Sequence, residues 1–414
     1  MKRIAILLLS ISLLIIGSTI SPLDALQSYT FPQSSTLPAL ATLPNPFLKE
    51  DGTNVETPAE WEQQRVHIKA MLAHYMYGSM PPAPDNLIVE EISSASVYNG
   101  EATFKVMLFS MGPGNGVRFH VSMLTPRGDG PFPVIIKNEG RLEQVTALET
   151  AETPIDRIIA SRGYVIIKYV RTELDDDQAD VTGPAELLYP DHDWATIAMW
   201  AWGSSRVIDY LETVDLIDME RIVATGQSRG GKAALCAGIY DDRIAITVPN
   251  GSGCGGAGCY RYRGPAPLDG LAQGLGASGA NVGMVKEFPH WYHERLGDFA
   301  DTPDRLPFDL HFLRAAIAPR AVLSVDGLAD HWANPLGTQI TYEGARPVFD
   351  FLGVPERLGI YFREGRHGQT ADDWATLLDF ADYTFFGTMP VSGKQFDQVP
   401  FPNLSPAFNW TRPQ

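Results

Sequence analysis

A serine flanked by glycines, Gly226-Gln227-Ser228-Arg229-Gly230, is the stretch of this sequence best suited to covalent chemistry. The G-x-S-x-G spacing gains meaning from its context: an apolar strand-like run at 221–224 precedes it and an apolar helical run at 232–239 follows. A chain that turns so sharply from strand to helix strains the serine backbone, and only glycine on both flanks lets the two elements approach. Ser228 is therefore predicted to stand above a sheet as a nucleophile. A serine hydroxyl attacks poorly until a base takes its proton and an acid orients that base. In this layout the acid comes next in the chain and the histidine last. Of the nine histidines, His367 lies in a loop, Arg366-His367-Gly368-Gln369, between a strand-like run at 358–362 and a helix starting near Thr370, and is the expected base. His290, His293 and His331 read as structural or substrate-facing, and His67 and His74 as part of a first helix. The strand-like run at 321–325 leads into Asp326-Gly327-Leu328-Ala329-Asp330-His331-Trp332; position alone does not separate Asp326 from Asp330, and either could instead cap a turn.

Two cations follow the serine within one helical turn, where the helix dipole disfavours positive charge by a few tenths to about 1 kcal/mol. Such a violated local preference tends to mark function. Lys232, four residues after Ser228, can reach the region beside it, and Arg229 can add side-chain donors to the amide that stabilises an oxyanion.

The elements that must carry these residues are legible in the hydrophobic pattern. Thr57-Pro58-Ala59-Glu60 opens a helix with a Thr cap, Pro at the first position and Glu three residues after the cap; Trp61, Ile68, Leu72 and Tyr75 share its core face, and Gly78 with Pro81 ends it. From 87 to 124 the period is two, and runs 102–110 and 117–124 around Gly112-Pro113-Gly114-Asn115-Gly116 predict an antiparallel hairpin. Short apolar runs then follow at 133–137, 164–169, 222–225, 244–248 and 321–325, with a crossover helix at 194–211. The expected fold class is α/β: an antiparallel N-terminal meander feeding a mostly parallel central sheet in a three-layer sandwich, the α/β-hydrolase layout.

A hydrophobic content of 44% over 414 residues supports one large catalytic domain, expected at 57–414 behind an extended segment at 26–56 that lies on it or is partly disordered. Thirty-two basic against 49 acidic residues give a formal charge of −17, which excludes nucleic acid and anionic membranes as partners. Residues 1–25 run from Met1-Lys2-Arg3 through an apolar stretch to small residues near Ala25, the layout of a secretory signal peptide. Export to the periplasm or beyond is expected, with no membrane span in the mature form. Cys236 reads as a buried thiol, whereas Cys254 and Cys259 are close enough to pair. No His/Cys spacing resembles a metal site, and neither metal nor cofactor is implied. A monomer is expected.

The elbow with its Ser-Arg-x-x-Lys order, the Pro249-Asn250-Gly251-Ser252-Gly253 stretch that follows, Phe288-Pro289-His290-Trp291-Tyr292, and Asp330-His331-Trp332-Ala333-Asn334-Pro335 together resemble the glucuronoyl esterases, carbohydrate esterase family fifteen, in their bacterial branch. That resemblance spans roughly 133–386. It implies Ser228 as nucleophile, His367 as base, Arg229 as oxyanion-stabilising side chain, and Lys232 and Trp332 as contacts to a uronic acid sugar. Fungal members carry the triad acid as a Glu where this chain has Gly251; bacterial members use an Asp that matches Asp330, which favours Asp330 over Asp326. The implied activity is hydrolysis of 4-O-methyl-glucuronoyl esters of glucuronoxylan. An acetyl xylan or feruloyl esterase on the same scaffold, or a non-catalytic carbohydrate-binding relative, are the competing readings.

Overall fold

The computed structural model describes residues 29–262, 273–274, 282–390, 393–402 and 407–413; the expected signal peptide at 1–25 lies outside them. Nine strands form the main sheet: β1 (Ile88–Val97), β2 (Ala102–Met111), β3 (Val117–Pro126), β4 (Phe132–Glu139), β5 (Val165–Val170), β6 (Ile217–Gln227), β7 (Ile246–Asn250), β8 (Ala321–Gly327) and β9 (Leu358–Arg363). Their spatial order is β1-β2-β3-β5-β4-β6-β7-β8-β9. The first three pair antiparallel and join β5 antiparallel through β3. From β5 to β9 every pairing is parallel.

The helices that cover this sheet are α1 (Pro58–Leu72), α2 (Pro154–Ser161), α3 (Thr196–Leu211), α4 (Arg229–Tyr240), α5 (His311–Ile317), α6 (Pro335–Phe351) and α7 (Ala371–Phe386). Alternation along the strands divides the core into two layers. Val134, Ile136, Ile222 and Ala224 pack on one face with α1, α3, α4, α5 and α6, while Ile135 and Val223 pack on the other with α2 and α7. α1 begins as its sequence predicts, with Thr57 and Glu60 completing a capping box, and Trp61, Ile68, Leu72 and Tyr75 are buried. Where partial disorder was one expectation for 26–56, the described part is packed: Leu43, Phe47 and Val55 are buried, the Leu43 amide bonds the Ala407 carbonyl at 2.8 Å, and His311 Nε2 meets the Pro44 carbonyl at 2.9 Å.

Register explains why the site forms where it does. Gln227 at the end of β6 pairs with Asn250 at the end of β7, Asn250 pairs with Val325 of β8, and Gly327 pairs with Arg363 at the end of β9. The loops carrying Ser228, Gly251, Asp330 and His367 therefore leave the sheet at one carboxyl edge, where ligands of open α/β sheets bind.

Candidate active site

Ser228 holds φ 59° and ψ −122°, a conformation costing a non-glycine residue on the order of 1–3 kcal/mol, and its amide bonds the Asn250 carbonyl at 2.8 Å. Its flanks admit no side chain: a Cβ on Gly226 would lie 2.3 Å from the Gly230 carbonyl oxygen, and one on Gly230 would lie 2.6 Å from Asn138 Oδ1. Asn138, which sequence reasoning missed, donates to the Gly230 carbonyl at 2.9 Å and ties the elbow to β4. Of the first-turn amides of α4, those of Gly231 and Lys232 bond the Ser228 carbonyl at 2.9 and 3.2 Å, which leaves the Arg229 amide, next to Ser228, as a backbone donor.

His367 Nδ1 lies 2.6 Å from Asp330 Oδ2. Asp330 is buried and its other oxygen, Oδ1, accepts from the Ala333 amide at 3.3 Å, so the carboxylate is fixed at both ends. The short turn that it caps, His331–Ala333, carries Trp332, half-buried and two residues from the acid. His367 Nε2 faces Gln227 Nε2 at 3.0 Å, and Ser228 Oγ makes no hydrogen bond among the described residues. The hydroxyl is thus free, and the imidazole rests against the residue just before it.

Asp326, the other candidate aspartate, lies within β8 and makes no hydrogen bond to His367. It is buried below Asp330, neither oxygen makes a well-formed hydrogen bond, and burial pushes its pKa up to about 7 despite the Thr338 hydroxyl. Arg229 projects from the first position of α4, pairs with Asp177 and lies 4.9 Å from the Trp291 ring. Lys232 is buried, and its ammonium donates to the Ser252 and Cys254 carbonyls, at 2.6 Å to the latter. Burial lowers its pKa to about 7. The unfavourable place in the helix is offset by two carbonyls under the loop after β7, a demand invisible in local sequence. Cys254 and Cys259, expected to be close enough to pair, are both buried and not joined in a disulfide; Cys236 is buried as well. No group of three or more His, Cys, Asp or Glu suited to a metal occurs among the described residues.

A family model described as "Glucuronyl esterase, fungi" matches residues 111–353. A 4-O-methyl-glucuronoyl methylesterase of Wolfiporia cocos is 30% identical, covering 90% of this chain and 89% of its own. This chain belongs to the glucuronoyl esterase family. A solved family 15 glucuronoyl esterase from Caldicellulosiruptor kristjansonii superposes with a TM-score of 0.75 at 29% identity, covering 91% of this chain and 98% of that one. A glucuronoyl esterase variant from Sporotrichum thermophile, solved with methyl 4-O-methyl-β-D-glucopyranuronate, superposes with a TM-score of 0.67 at 26% identity over 88% and 94% of the two chains.

Two further positions complete the glucuronoyl esterase site. Gly251, at φ +49°, lies against the Asp330–His367 pair: a Cβ there would sit 3.5 Å from Asp330 Oδ2 and 3.6 Å from the imidazole. Gly251, the position at which the resemblance to fungal members implied a Glu, therefore lies beside the same histidine, and glycine leaves room there for Asp330. Arg363, unflagged by the sequence, is buried, with its Nε–H shared between the two Asp373 carboxylate oxygens at 2.8 Å each, and donates through Nη2 to the carbonyls of Arg366, at 3.0 Å, and Gly368, at 2.8 Å. It holds both sides of His367. Arg363→Ala should cost roughly 3–5 kcal/mol of stability, because it leaves Asp373 charged and buried, and should lower kcat as the loop loosens. Urea denaturation beside initial rates checks both; an unchanged midpoint would remove Arg363 from that role.

Proposed function

We propose that this chain hydrolyses the ester between 4-O-methyl-glucuronic acid and an alcohol through a Ser228-His367-Asp330 triad. The observation that carries the reading is the 2.6 Å contact of Asp330 with His367 above the Ser228 elbow. Asp330 fixes the Nδ1–H tautomer, which leaves Nε2 as the base. On substrate binding the Gln227 amide yields Nε2 to the serine proton as Ser228 Oγ attacks the uronoyl carbon. The tetrahedral oxyanion receives donors from the Arg229 amide and from the Arg229 side chain. His367 returns the proton to the departing alcohol oxygen, leaving a uronoyl-serine ester. A water molecule then gives its proton to Nε2, attacks the ester and releases the uronic acid and free Ser228. No step needs a metal or cofactor. Trp332 offers an apolar face for the sugar ring, and Lys232, held by the Ser252 and Cys254 carbonyls, has a third ammonium N–H to offer the uronic acid sugar.

The relatives' names support a methyl glucuronate ester as the test substrate, and the polymer in view is glucuronoxylan. Initial rates on methyl 4-O-methyl-glucuronate should exceed those on acetylated xylan and on a feruloyl ester by at least about tenfold in kcat/KM. Faster turnover of the acetyl or feruloyl ester would replace this reading by the corresponding esterase. Export rests on the leader-like residues 1–25; no helix among the described residues is long and apolar enough to cross a membrane. Amino-terminal sequencing of the secreted product tests it.

A further inference from the structure

Arg229 stands where a cation is least welcome, at the first position of a helix, with a side chain still 36% exposed. An arginine so placed would ordinarily sample many rotamers, at a cost of up to about 2 kcal/mol when it is frozen. The loop after β5 supplies what freezes it. One oxygen of Asp177, Oδ2, takes the Arg229 Nη1 donor. The other, Oδ1, is occupied by Trp291 Nε1 at 2.8 Å, with His290 Nε2 at 3.2 Å. The same Trp291 ring lies under the guanidinium at 4.9 Å and is itself stacked on Phe288, centroids 3.9 Å apart and 5° from coplanar. One carboxylate thus binds the cation and the aromatic platform beneath it, so position and orientation are set together.

We infer that Asp177 is a positioning residue that holds the Arg229 guanidinium aimed at the oxyanion, an inference that rests on the esterase reading of Ser228. The two groups come from loops far apart in sequence, yet both line a polar cavity of about 500 Å³ that also includes Asn138, Gln227 and Gly140, beside the nucleophile. Arg229 Nε and Nη2 have no hydrogen-bond partner among the described residues and are the donors left for substrate. The carboxylate suits this role. Burial alone would raise its pKa, but His290, Trp291 and Arg229 hold it at about 2, so the clamp stays charged at any working pH. Because a donor aimed in advance stabilises charge only as it develops, loss of the clamp should appear in kcat and not in KM.

The test is a double-mutant cycle on the full chain with methyl 4-O-methyl-glucuronate. Asp177→Ala should lower kcat on the order of 10- to 100-fold with KM nearly unchanged. In an Arg229→Ala background the same substitution should lower kcat no further, because Asp177 has nothing left to position. Trp291→Phe, which keeps a ring under the guanidinium and deletes the donor to Oδ1, should give a smaller kcat loss that likewise vanishes without Arg229. If Asp177→Ala does not fold, Asp177→Asn and Trp291→Phe carry the cycle. Equal losses with and without Arg229, an unchanged kcat, or a rise in KM alone would overturn the inference. A wild-type protein that fails to turn over the ester would instead strike the esterase reading.

Discussion

Ser228→Ala is expected to lower kcat on methyl 4-O-methyl-glucuronate by about a million-fold, leaving only what binding and oxyanion donors contribute over water. The size follows from the serine's part in both halves of the reaction, as attacking atom and as the acyl carrier that water later frees. No neighbour can take over. Gln227 and Asn250 are amides, and Ser252, the next hydroxyl along this edge, is buried with its Oγ held by the Ala257 amide at 2.9 Å. The backbone adds a second, separable outcome. Alanine at φ 59° keeps the strain, whereas Ser228→Gly releases it, so the glycine variant should be the more stable of two inactive proteins by roughly 1–3 kcal/mol. Rates and urea midpoints measured on both variants check this, and retained turnover in either would move the nucleophile elsewhere.

That the elbow could be read from sequence reflects how local its physics is. A strand, a turn needing glycine on both flanks and a helix follow one another within about twenty residues, and each is written in periodicity or residue size. The parallel strands are legible for the same reason, as short apolar runs; the structure extends 133–137, 222–225 and 321–325 to Phe132–Glu139, Ile217–Gln227 and Ala321–Gly327, and shifts 164–169 and 244–248 to Val165–Val170 and Ile246–Asn250. The supports of the site are different in kind. Asn138 bracing Gly230 and Asp177 gripping Arg229 are contacts set by sheet order, between residues 92 and 52 apart, while Arg363 gathers carbonyls 3 and 5 residues on by the way the loop around His367 folds back over it. No period or spacing encodes them. Lys232 is a related case: its place in the helix is anomalous in the sequence, and part of the answer is the Ser252 and Cys254 carbonyls, which only the fold brings to it. An unexplained charge marks an unseen partner, and only the fold says whether that partner is substrate or backbone. The 326–330 stretch shows the limit most plainly. Asp326 lies near the end of β8 and Asp330 just beyond it, and which one meets the histidine depends on where the fold places each carboxylate.

Asp330→Asn and Asp326→Asn should accordingly separate activity from stability. Asp330 Oδ1 accepts from the Ala333 amide, so an asparagine there keeps its carbonyl on that donor and turns its NH2 toward His367 Nδ1. Nδ1 must then act as acceptor, the proton moves to Nε2, and the nitrogen facing Ser228 can no longer serve as base. A fall in kcat of about ten-thousand-fold is expected, with KM little altered. Asp326→Asn removes a carboxyl that touches no reacting group, so kcat should stay within a fewfold of wild type, and the effect should appear in the pH dependence of unfolding. With a folded pKa raised to about 7 from 3.8, Asp326 binds more proton in the folded than in the unfolded state across that window. Its contribution to stability is therefore present below pH 4 and is lost as pH rises through 7. The neutral amide escapes this loss, so the variant should gain stability relative to wild type at pH 8, gain less at pH 5 and differ little below pH 4, as read from urea midpoints across that range. A larger activity loss at Asp326 than at Asp330 would exchange their roles, and a variant less stable than wild type at pH 8 would show that the buried carboxyl is held ionised, with Arg314 as its counter-charge.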